Sequence, residues 1–148
     1  MIDMGDEILL VEDNPSDLEL AQRAIREHKL STNVQVARDG EEALDFIFYR
    51  GKFAQKRPSG LIRVILLDLK LPLVDGMEVL RQVRADARTR HLPVVVLTSS
   101  SEERDVVESY ALGVNSYITK PVDFERFAEA MRVIGTYWLM LNRPPAKI

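Results

Sequence analysis

The sequence predicts an α/β domain in which five parallel strands form one sheet with helices on both faces. Apolar runs and segments of helical periodicity alternate five times along the chain, which is the pattern of strands joined by crossover helices. Three of the runs are almost continuously apolar, and the other two alternate polar with apolar residues. A length of 148 residues is that of one ordinary domain, so a second domain is not expected.

The apolar runs define the five strands. Strands one, three and four are predicted at Glu7 to Val11, Leu61 to Leu67 and Pro93 to Leu97, where continuous apolar character indicates inner strands. Strands two and five are predicted at Asn33 to Ala37 and Ser116 to Thr119, where the alternation indicates edge strands. Right-handed crossovers with these two strands outermost give the order 2-1-3-4-5, a doubly wound sheet of the flavodoxin-like class.

Capping residues place the first two helices. Asn14 can cap helix one, with Pro15 at the first helical position, where a proline is well tolerated. Asp39, with Glu42 three residues later, has the spacing of a capping box at the start of helix two. Both helices are therefore expected to begin close to the end of the preceding strand.

Three more helices follow the remaining strands. Helix three is expected after Asp75, and helix four carries Val107 and Tyr110 and ends near Gly113, which suits a C-terminal cap. The last helix is expected from about Asp123 to about Asn142, with two prolines shortly after it.

The last helix has an unusually wide apolar surface. Its first stripe, at spacings of three and four residues, is Phe124, Phe127, Met131, Ile134, Trp138 and Leu141. A second stripe beside it is Ala130, Val133, Tyr137 and Met140. The surface is either one broad core face or part of a contact with another subunit, for which two-fold pairing is the default. The candidates for a dimer contact are Val133, Tyr137, Trp138 and Met140.

Composition excludes several classes of function. The chain has 20 Lys and Arg against 23 Asp and Glu, a formal charge of −3, and so lacks the basic excess of a nucleic-acid-binding chain. It has no cysteine, which excludes disulfides, zinc sites built on thiolates and thiol nucleophiles. No apolar stretch approaches the roughly 18 residues of a membrane span. We expect a cytoplasmic protein with no nucleic-acid and no membrane partner.

Functional side chains are expected where the strands end, because ligands of doubly wound sheets bind at the carboxyl ends of the strands. Three carboxylates at one edge repel one another, so their pKa values are raised or they bind a divalent cation. Ligation by oxygen atoms alone favours Mg²⁺. The strand-terminal residues are Glu12 and Asp13 after strand one, Asp68 after strand three, Thr98 after strand four and Lys120 after strand five.

This set has the parts required for phosphoryl transfer to an aspartate. Asp68 is the nucleophile candidate because it lies centrally, at the end of the most apolar strand. Glu12 and Asp13 form an adjacent pair better suited to holding a metal ion. Thr98 offers a hydroxyl donor and Lys120 a compact positive charge for phosphate oxygens.

Through four ordered motifs the chain resembles the receiver domain of bacterial two-component response regulators. The motifs are I-L-L-V-E-D-N, V-I-L-L-D-L-K-L-P-L-V-D-G, V-V-V-L-T-S-S and Y-I-T-K-P, and the likeness extends from about residue 7 to about residue 131. The resemblance implies that Asp68 is the phospho-acceptor and that Thr98 and Lys120 bind the phosphoryl group. The Mg²⁺ ligands that it implies are Glu12, Asp13, Asp68 and the backbone carbonyl of Lys70.

The same resemblance implies a signalling mechanism. The charge of the aspartyl phosphate would draw Thr98 toward the phosphoryl oxygens, and Tyr117 would fill the vacated space and bias the surface of helix four, strand five and helix five. A cis bond between Lys120 and Pro121 is also implied. Residues 1–148 would form a single receiver domain, with a core at about 7–131, an extended last helix and no output domain. Such a protein would assist its own phosphorylation and dephosphorylation without turning over an external substrate.

Three further stretches narrow the resemblance to stand-alone regulators paired with phytochrome-type histidine kinases. They are A-R-D-G-E-E-A-L-D-F-I-F-Y-R-G, S-Y-I-T-K-P-V-D-F and W-L-M-L-N-R-P-P. The implied partner is a phytochrome-type kinase. A second copy of the chain is expected as a partner on separate grounds, from the apolar surface of the last helix. Lys70, two residues after the acceptor, and Ser99, just after Thr98, are not the commonest residues at those positions, so the lifetime of the acyl phosphate stays open.

Two other functions also stay open. An aspartate-nucleophile phosphohydrolase uses the same groups, but that superfamily has a second aspartate two residues after the nucleophile, where this chain has Lys70. A pseudo-receiver that binds partners without phosphate would not need the intact acidic set with Thr98 and Lys120. The sequence lacks the motifs of NTPases, dinucleotide-binding folds, serine hydrolases and zinc proteases.

Overall fold

The sheet is the centre of the fold in a computed structural model that describes residues 7–27, 33–55, 62–121 and 123–145. Its strand order is β2-β1-β3-β4-β5, as predicted, and all neighbouring strands are parallel. The bounds agree with the predicted runs to within one residue, apart from Leu61, which lies outside the described residues. The strands are β1 Glu7–Val11, β2 Val34–Ala37, β3 Ile62–Leu67, β4 Val94–Thr98 and β5 Ser116–Thr119.

The register of the inner strands brings their carboxyl ends to one level. Strands β1, β3 and β4 are buried along nearly their whole length, whereas β2 and β5 are half-exposed, as edge strands are. Val11 pairs with Leu67, so the residues that follow β1 and β3 leave the sheet side by side. Thr98 pairs with Thr119, so the residue that follows β5 lies beside the end of β4.

Five α-helices connect and follow the strands, and the predicted caps form. Asn14 accepts a hydrogen bond from the N–H of Asp17 at 3.0 Å. Asp39 accepts one from the N–H of Glu42 at 2.6 Å, and the Glu42 side chain accepts in turn from the N–H of Arg38 at 3.3 Å, one residue before the cap, in an arrangement close to a capping box. No helix in the described segments is both long and apolar enough to cross a membrane. The helices are α1 Pro15–Glu27, α2 Gly40–Phe48, α3 Gly76–Ala85, α4 Glu103–Ala111 and α5 Phe124–Gly135, with a short 3₁₀ helix at Gly51–Phe53.

The two faces of the sheet carry separate apolar cores. Val64 of β3 faces α1 and α5, where it is buried in one cluster with Ile25 and Met131. Ile65, the next residue, faces α2 and α3 and shares the other cluster with Phe46. This alternation follows from the two-residue period of a strand.

Helix α4 is buried less than the other helices. Its buried residue is Ser109, whereas Val107 and Tyr110 are more than half exposed. The helix therefore presents apolar side chains on its outer surface, next to the edge strand β5.

The last helix changes type at Thr136, where the chain continues as a π-helix over Thr136–Leu141. The helical stretch thus ends beside Asn142, as predicted. A π turn contains more residues than an α turn, so the inward positions shift along the chain. Leu139 is 1% exposed and Leu141 is 70% exposed. Leu141, a member of the first apolar stripe, therefore lies on the outside, and Leu139, which belongs to neither stripe, is buried in its place.

A buried arginine holds the end of this π-helix on the sheet. Arg63 of β3 is 5% exposed. Its guanidinium donates hydrogen bonds to the carbonyls of Leu139, at 2.9 Å, and Asn142, at 3.4 Å. These carbonyls belong to the last turn, where a helix has acceptors without a helical partner and where a positive charge is favourable.

Candidate active site

The structure brings the predicted site residues together at the carboxyl edge of the sheet. The side chains of Glu12, Asp68 and Thr98 are buried, whereas Asp13 is exposed. Each is the last residue of a strand or one of the two residues that follow it, so all of them lie at the same edge of the sheet. The residues are Glu12 and Asp13 after β1, Asp68 after β3, Thr98 in β4 and Lys120 after β5.

Both carboxylate oxygens of Asp68 have hydrogen-bond donors. The Thr98 hydroxyl donates to Oδ1 at 2.9 Å, and the Lys70 backbone N–H donates to the same oxygen at 3.1 Å. The Lys120 ammonium lies 2.9 Å from Oδ2. The carboxylate is therefore held in one orientation by a hydroxyl, an amide and a cation.

Lys120 binds three carboxylates at once. Its Nζ lies 2.6 Å from Glu12, 2.7 Å from Asp17 and 2.9 Å from Asp68. An ammonium has three N–H donors, so these carboxylates can occupy all of them. Asp17, in the first turn of α1, was not among the predicted site residues.

Burial and ion pairing act in opposite directions on these groups. Burial raises the pKa of Glu12 to about 7; the hydrogen bond from Lys120 offsets part of this effect, and the charge of Asp68 adds to it. Burial also acts to raise the pKa of Asp68, but the hydrogen bond and charge of Lys120, with the N–H of Lys70, bring it below its ordinary value. The pKa of Lys120 is raised despite burial because carboxylates accept its hydrogen bonds. At neutral pH Asp68 is thus ionised, while Glu12 is protonated part of the time.

The acids at this edge have the chemistry of a divalent-cation site. Glu12, Asp13 and Asp68 each offer an oxygen, and these oxygens lie within 4.8 Å of one another. Carboxylate oxygens are the ligands that Mg²⁺ prefers. Burial is the largest cause of the raised pKa of Glu12, and the neighbouring charge of Asp68 raises it further.

A chain of contacts leads from Asp68 to Tyr117. Thr98 donates to Asp68, and its hydroxyl oxygen accepts from the backbone N–H of Ser100 at 3.4 Å. The carbonyl of Ser100 accepts a hydrogen bond from the Tyr117 hydroxyl at 2.8 Å. Ser100 therefore connects the two predicted switch residues, Thr98 and Tyr117, through its backbone N–H and carbonyl. Because its side chain takes no part in this connection, the residue type did not indicate the role.

The loop between β3 and α3 approaches the acceptor closely. A Cβ on Gly76 would lie 2.3 Å from the carbonyl oxygen of Asp68 and 2.6 Å from the Cα of Leu69, so only glycine fits there. This contact explains why the helix that starts at Gly76 can begin directly against the site.

The implied cis bond between Lys120 and Pro121 is not found, and no peptide bond of the described residues is cis. The trans form is intrinsically favoured even before proline, by about 0.5–1 kcal/mol. With this bond trans, Lys120 still reaches its carboxylate partners, and its N–H donates to the carbonyl of Thr98 at 2.7 Å.

Comparison with known proteins gives a family match over most of the chain. Residues 8–132 match the model described as the response regulator receiver domain. Among sequence relatives, the "Probable methanogenesis regulatory protein FilR2" of Methanothrix harundinacea is 41% identical over 138 residues, which are 93% of this chain and 86% of that protein.

Solved structures of phytochrome response regulators are similar over nearly the full length. The phosphorylated cyanobacterial phytochrome response regulator RcpA has a TM-score of 0.86 and 37% identity, covering 94% of this chain and 97% of its own. The bacteriophytochrome response regulator RtBRR is 54% identical, with a TM-score of 0.75 and coverage of 94% and 83%. The Mn²⁺-bound form of Rcp1, a protein of Synechocystis, has a TM-score of 0.85 and 36% identity, with coverage of 95% and 99%.

Proposed function

The chain belongs to the response regulator receiver family, and on this premise we propose that Asp68 accepts a phosphoryl group from a phytochrome-type sensor histidine kinase. Receivers of this family are signalling proteins and not enzymes acting on an external substrate. The protein would assist its own phosphorylation and dephosphorylation through the groups around Asp68.

One observation carries this assignment: a hydroxyl, a backbone N–H and an ammonium converge on the buried, ionised carboxylate of Asp68. In the transfer, an oxygen of Asp68 bonds to phosphorus while the bond from phosphorus to the kinase histidine breaks and its electron pair returns to the imidazole. The Thr98 hydroxyl and the Lys120 ammonium can then donate hydrogen bonds to phosphoryl oxygens.

Glu12, Asp13, Asp68 and the backbone carbonyl of Lys70 would hold Mg²⁺. When bound, the ion compensates the negative charge that the phosphoryl group brings to an acidic site. The cluster of three carboxylate oxygens supports this proposal, and the Mn²⁺-bound structure of Rcp1 supports it by similarity.

The signal would leave the site through Thr98, Ser100 and Tyr117. Once Thr98 donates to a phosphoryl oxygen, its bond to the Ser100 N–H and the bond of Tyr117 to the Ser100 carbonyl are free to rearrange. These residues border α4 and β5, and Val107 and Tyr110 of α4 are exposed there. The surface of α4, β5 and α5 would be the one that changes.

The partners we propose are a phytochrome-type kinase and a second copy of the chain. The likeness to RcpA and RtBRR supports the kinase type, and the nearly full coverage of RcpA supports a stand-alone receiver. The protein would work in the cytoplasm, where such kinases present their phosphohistidine. The exposure of Val133, Tyr137 and Met140, with half-buried Trp138 beside them, supports a homodimer.

Intact-mass measurement after incubation with a small phosphodonor and Mg²⁺ tests the acceptor. We expect one phosphoryl adduct that hydroxylamine removes, that is absent with a chelator and that Asp68→Asn abolishes. Asp86→Asn is the matched control, because this carboxylate is half-buried, pairs with Arg88 and lies outside the site. It should be phosphorylated like the native chain.

Two results would overturn the proposal. Steady hydrolysis of ordinary phosphate monoesters, dependent on Asp68, would indicate the phosphohydrolase. A folded protein that gains no adduct and shows no change of NMR spectrum with beryllofluoride would indicate a phosphate-independent binding module.

A further inference from the structure

Asp17 contacts Lys120 but has no part in the proposed reaction. Its Oδ2 lies 2.7 Å from Nζ, and its side chain is 31% exposed, against 8% for that of Lys120. The backbone N–H of Asp17 donates to the Asn14 side chain at 3.0 Å, so the cap of α1 fixes the position from which this carboxylate extends. The contact therefore comes from two well-anchored residues that lie 103 positions apart in the sequence.

The carboxylate oxygens of the other two partners of Lys120 are also candidate ligands for a metal ion. Glu12 and Asp68 belong to the acidic cluster that could hold a metal ion, whereas Asp17 does not. A bound divalent cation compensates the charges of Glu12 and Asp68 and so weakens their attraction for the ammonium. The charge of Asp17 stays available to Lys120 in that state.

We propose that Asp17 is a positioning residue for Lys120. It holds the ammonium at the edge of the site when Glu12 and Asp68 bind the metal ion. The other N–H donors of Lys120 are then free to bind phosphoryl oxygens. It also draws Lys120 away from the metal ligands, so that the cation and the ammonium do not compete for the same oxygens. The inference rests on the proposed function, but it is tested without a phosphodonor.

The first test is Mg²⁺ affinity, measured by calorimetric titration of the native protein and Asp17→Asn. We expect the variant to bind Mg²⁺ roughly threefold to tenfold more weakly, the range for losing a charged hydrogen bond of a partly buried pair. Asp17→Glu, which keeps the charge, should recover most of the affinity. Glu19→Gln is the matched control, because it removes one charge from the same helix at an exposed pair with Arg26. Its affinity should equal that of the native protein.

A second measurement separates positioning from general attraction between Asp17 and the cation. In the Lys120→Met background, the effect of Asp17→Asn on Mg²⁺ affinity should largely disappear, because the residue through which Asp17 acts is gone. In Mg²⁺-saturated protein, NMR relaxation of the Lys120 ammonium should show a more mobile side chain in Asp17→Asn than in Glu19→Gln.

Two outcomes overturn the inference. One is an equal loss of Mg²⁺ affinity with and without Lys120, which would make Asp17 a general contributor of charge. The other is native Mg²⁺ affinity and native Lys120 mobility in Asp17→Asn. A protein that shows these effects of Asp17 but never gains a phosphoryl adduct would retain the positioning role and refute the proposed function.

Discussion

Glu12 links protonation of the site to folding, because burial raises its pKa from an ordinary value of 4.5 to about 7. A carboxyl group with a higher pKa in the folded state stabilises the fold fully below its unfolded pKa, and this contribution is lost as the pH rises through the folded pKa. We expect this group to lower the free energy of unfolding of the metal-free protein by up to about 3 kcal/mol between pH 4.5 and pH 7. Glu12→Gln should remove that decrease.

Urea unfolding measures this change in the free energy of unfolding. The native protein, Glu12→Gln and Glu19→Gln are compared in the presence of a chelator, at several pH values between 4.5 and 7. Tryptophan fluorescence can follow it through Trp138. Glu19→Gln is the control and should keep the native pH dependence. Mg²⁺ should restore more stability at pH 8 than at pH 5.5, since it binds the ionised form. Parallel pH profiles for the native protein and Glu12→Gln would contradict the role of this group.

Tyr117 connects the site to the surface through one hydroxyl, which donates to the Ser100 carbonyl at 2.8 Å. We expect Tyr117→Phe to accept phosphate at the native rate, because this hydroxyl does not bind Asp68. The beryllofluoride-induced NMR shifts in α4 and β5 should be reduced, because the hydrogen bond that connects Tyr117 to Ser100, in the loop after β4, is lost. Tyr49→Phe removes a hydroxyl at the end of α2, away from the site, and should leave both measurements unchanged. Equal reduction of phosphorylation and of the shifts would argue against the link.

The sequence could place the strand-terminal residues of the site but not Asp17 or Ser100. A rule based on strand ends selects Glu12, Asp68 and Lys120, because parallel strands all end at one edge. Asp17 lies on a helix, so the strand-end rule does not select it. Its position in the first turn of α1, which begins at the same edge of the sheet, was the only signal in the sequence. Ser100 acts through its backbone, which every residue type shares.

Among the helices and strands, the sheet follows directly from the apolar runs, whereas the end of the last helix does not. Spacings of three and four residues indicate an α-helix, and a π turn that moves Leu139 inward has no separate periodic signal. The contact that selects this arrangement is not local. Arg63, from the middle of the sequence, binds carbonyls of the last turn.

Arg63→Met tests this contact. Methionine keeps an unbranched side chain in the core but cannot donate, so the carbonyls of Leu139 and Asn142 lose a charged donor. We expect faster hydrogen exchange over residues 136–145 and a loss of about 1–3 kcal/mol of unfolding free energy. Exchange in α2, on the opposite face of the sheet, should change only as far as global stability requires.

Arg132→Met is the matched control for this variant, because Arg132 is exposed on α5 and pairs with Glu129. It should leave exchange over residues 136–145 close to that of the native protein. Native exchange rates in Arg63→Met would show that apolar packing alone holds the π-helix.

For the protein as a unit, the proposed homodimer would form through the exposed apolar face of α5 and the π-helix. Val133, Tyr137 and Met140 are each about half exposed or more, on consecutive turns, and Tyr137 stacks edge-to-face on Trp138 at 4.8 Å between ring centroids. An exposed apolar surface of this kind is more typical of an interface than of a free surface, and a two-fold pairing uses the same face twice.

Tyr137→Glu should therefore shift the protein to monomer, because each dimer would bury two charges without partners. Sedimentation over a range of concentrations measures the shift. Val107→Glu places the same charge on the exposed face of α4 and should leave the dimer intact; dissociation by Val107→Glu but not by Tyr137→Glu would move the interface to α4.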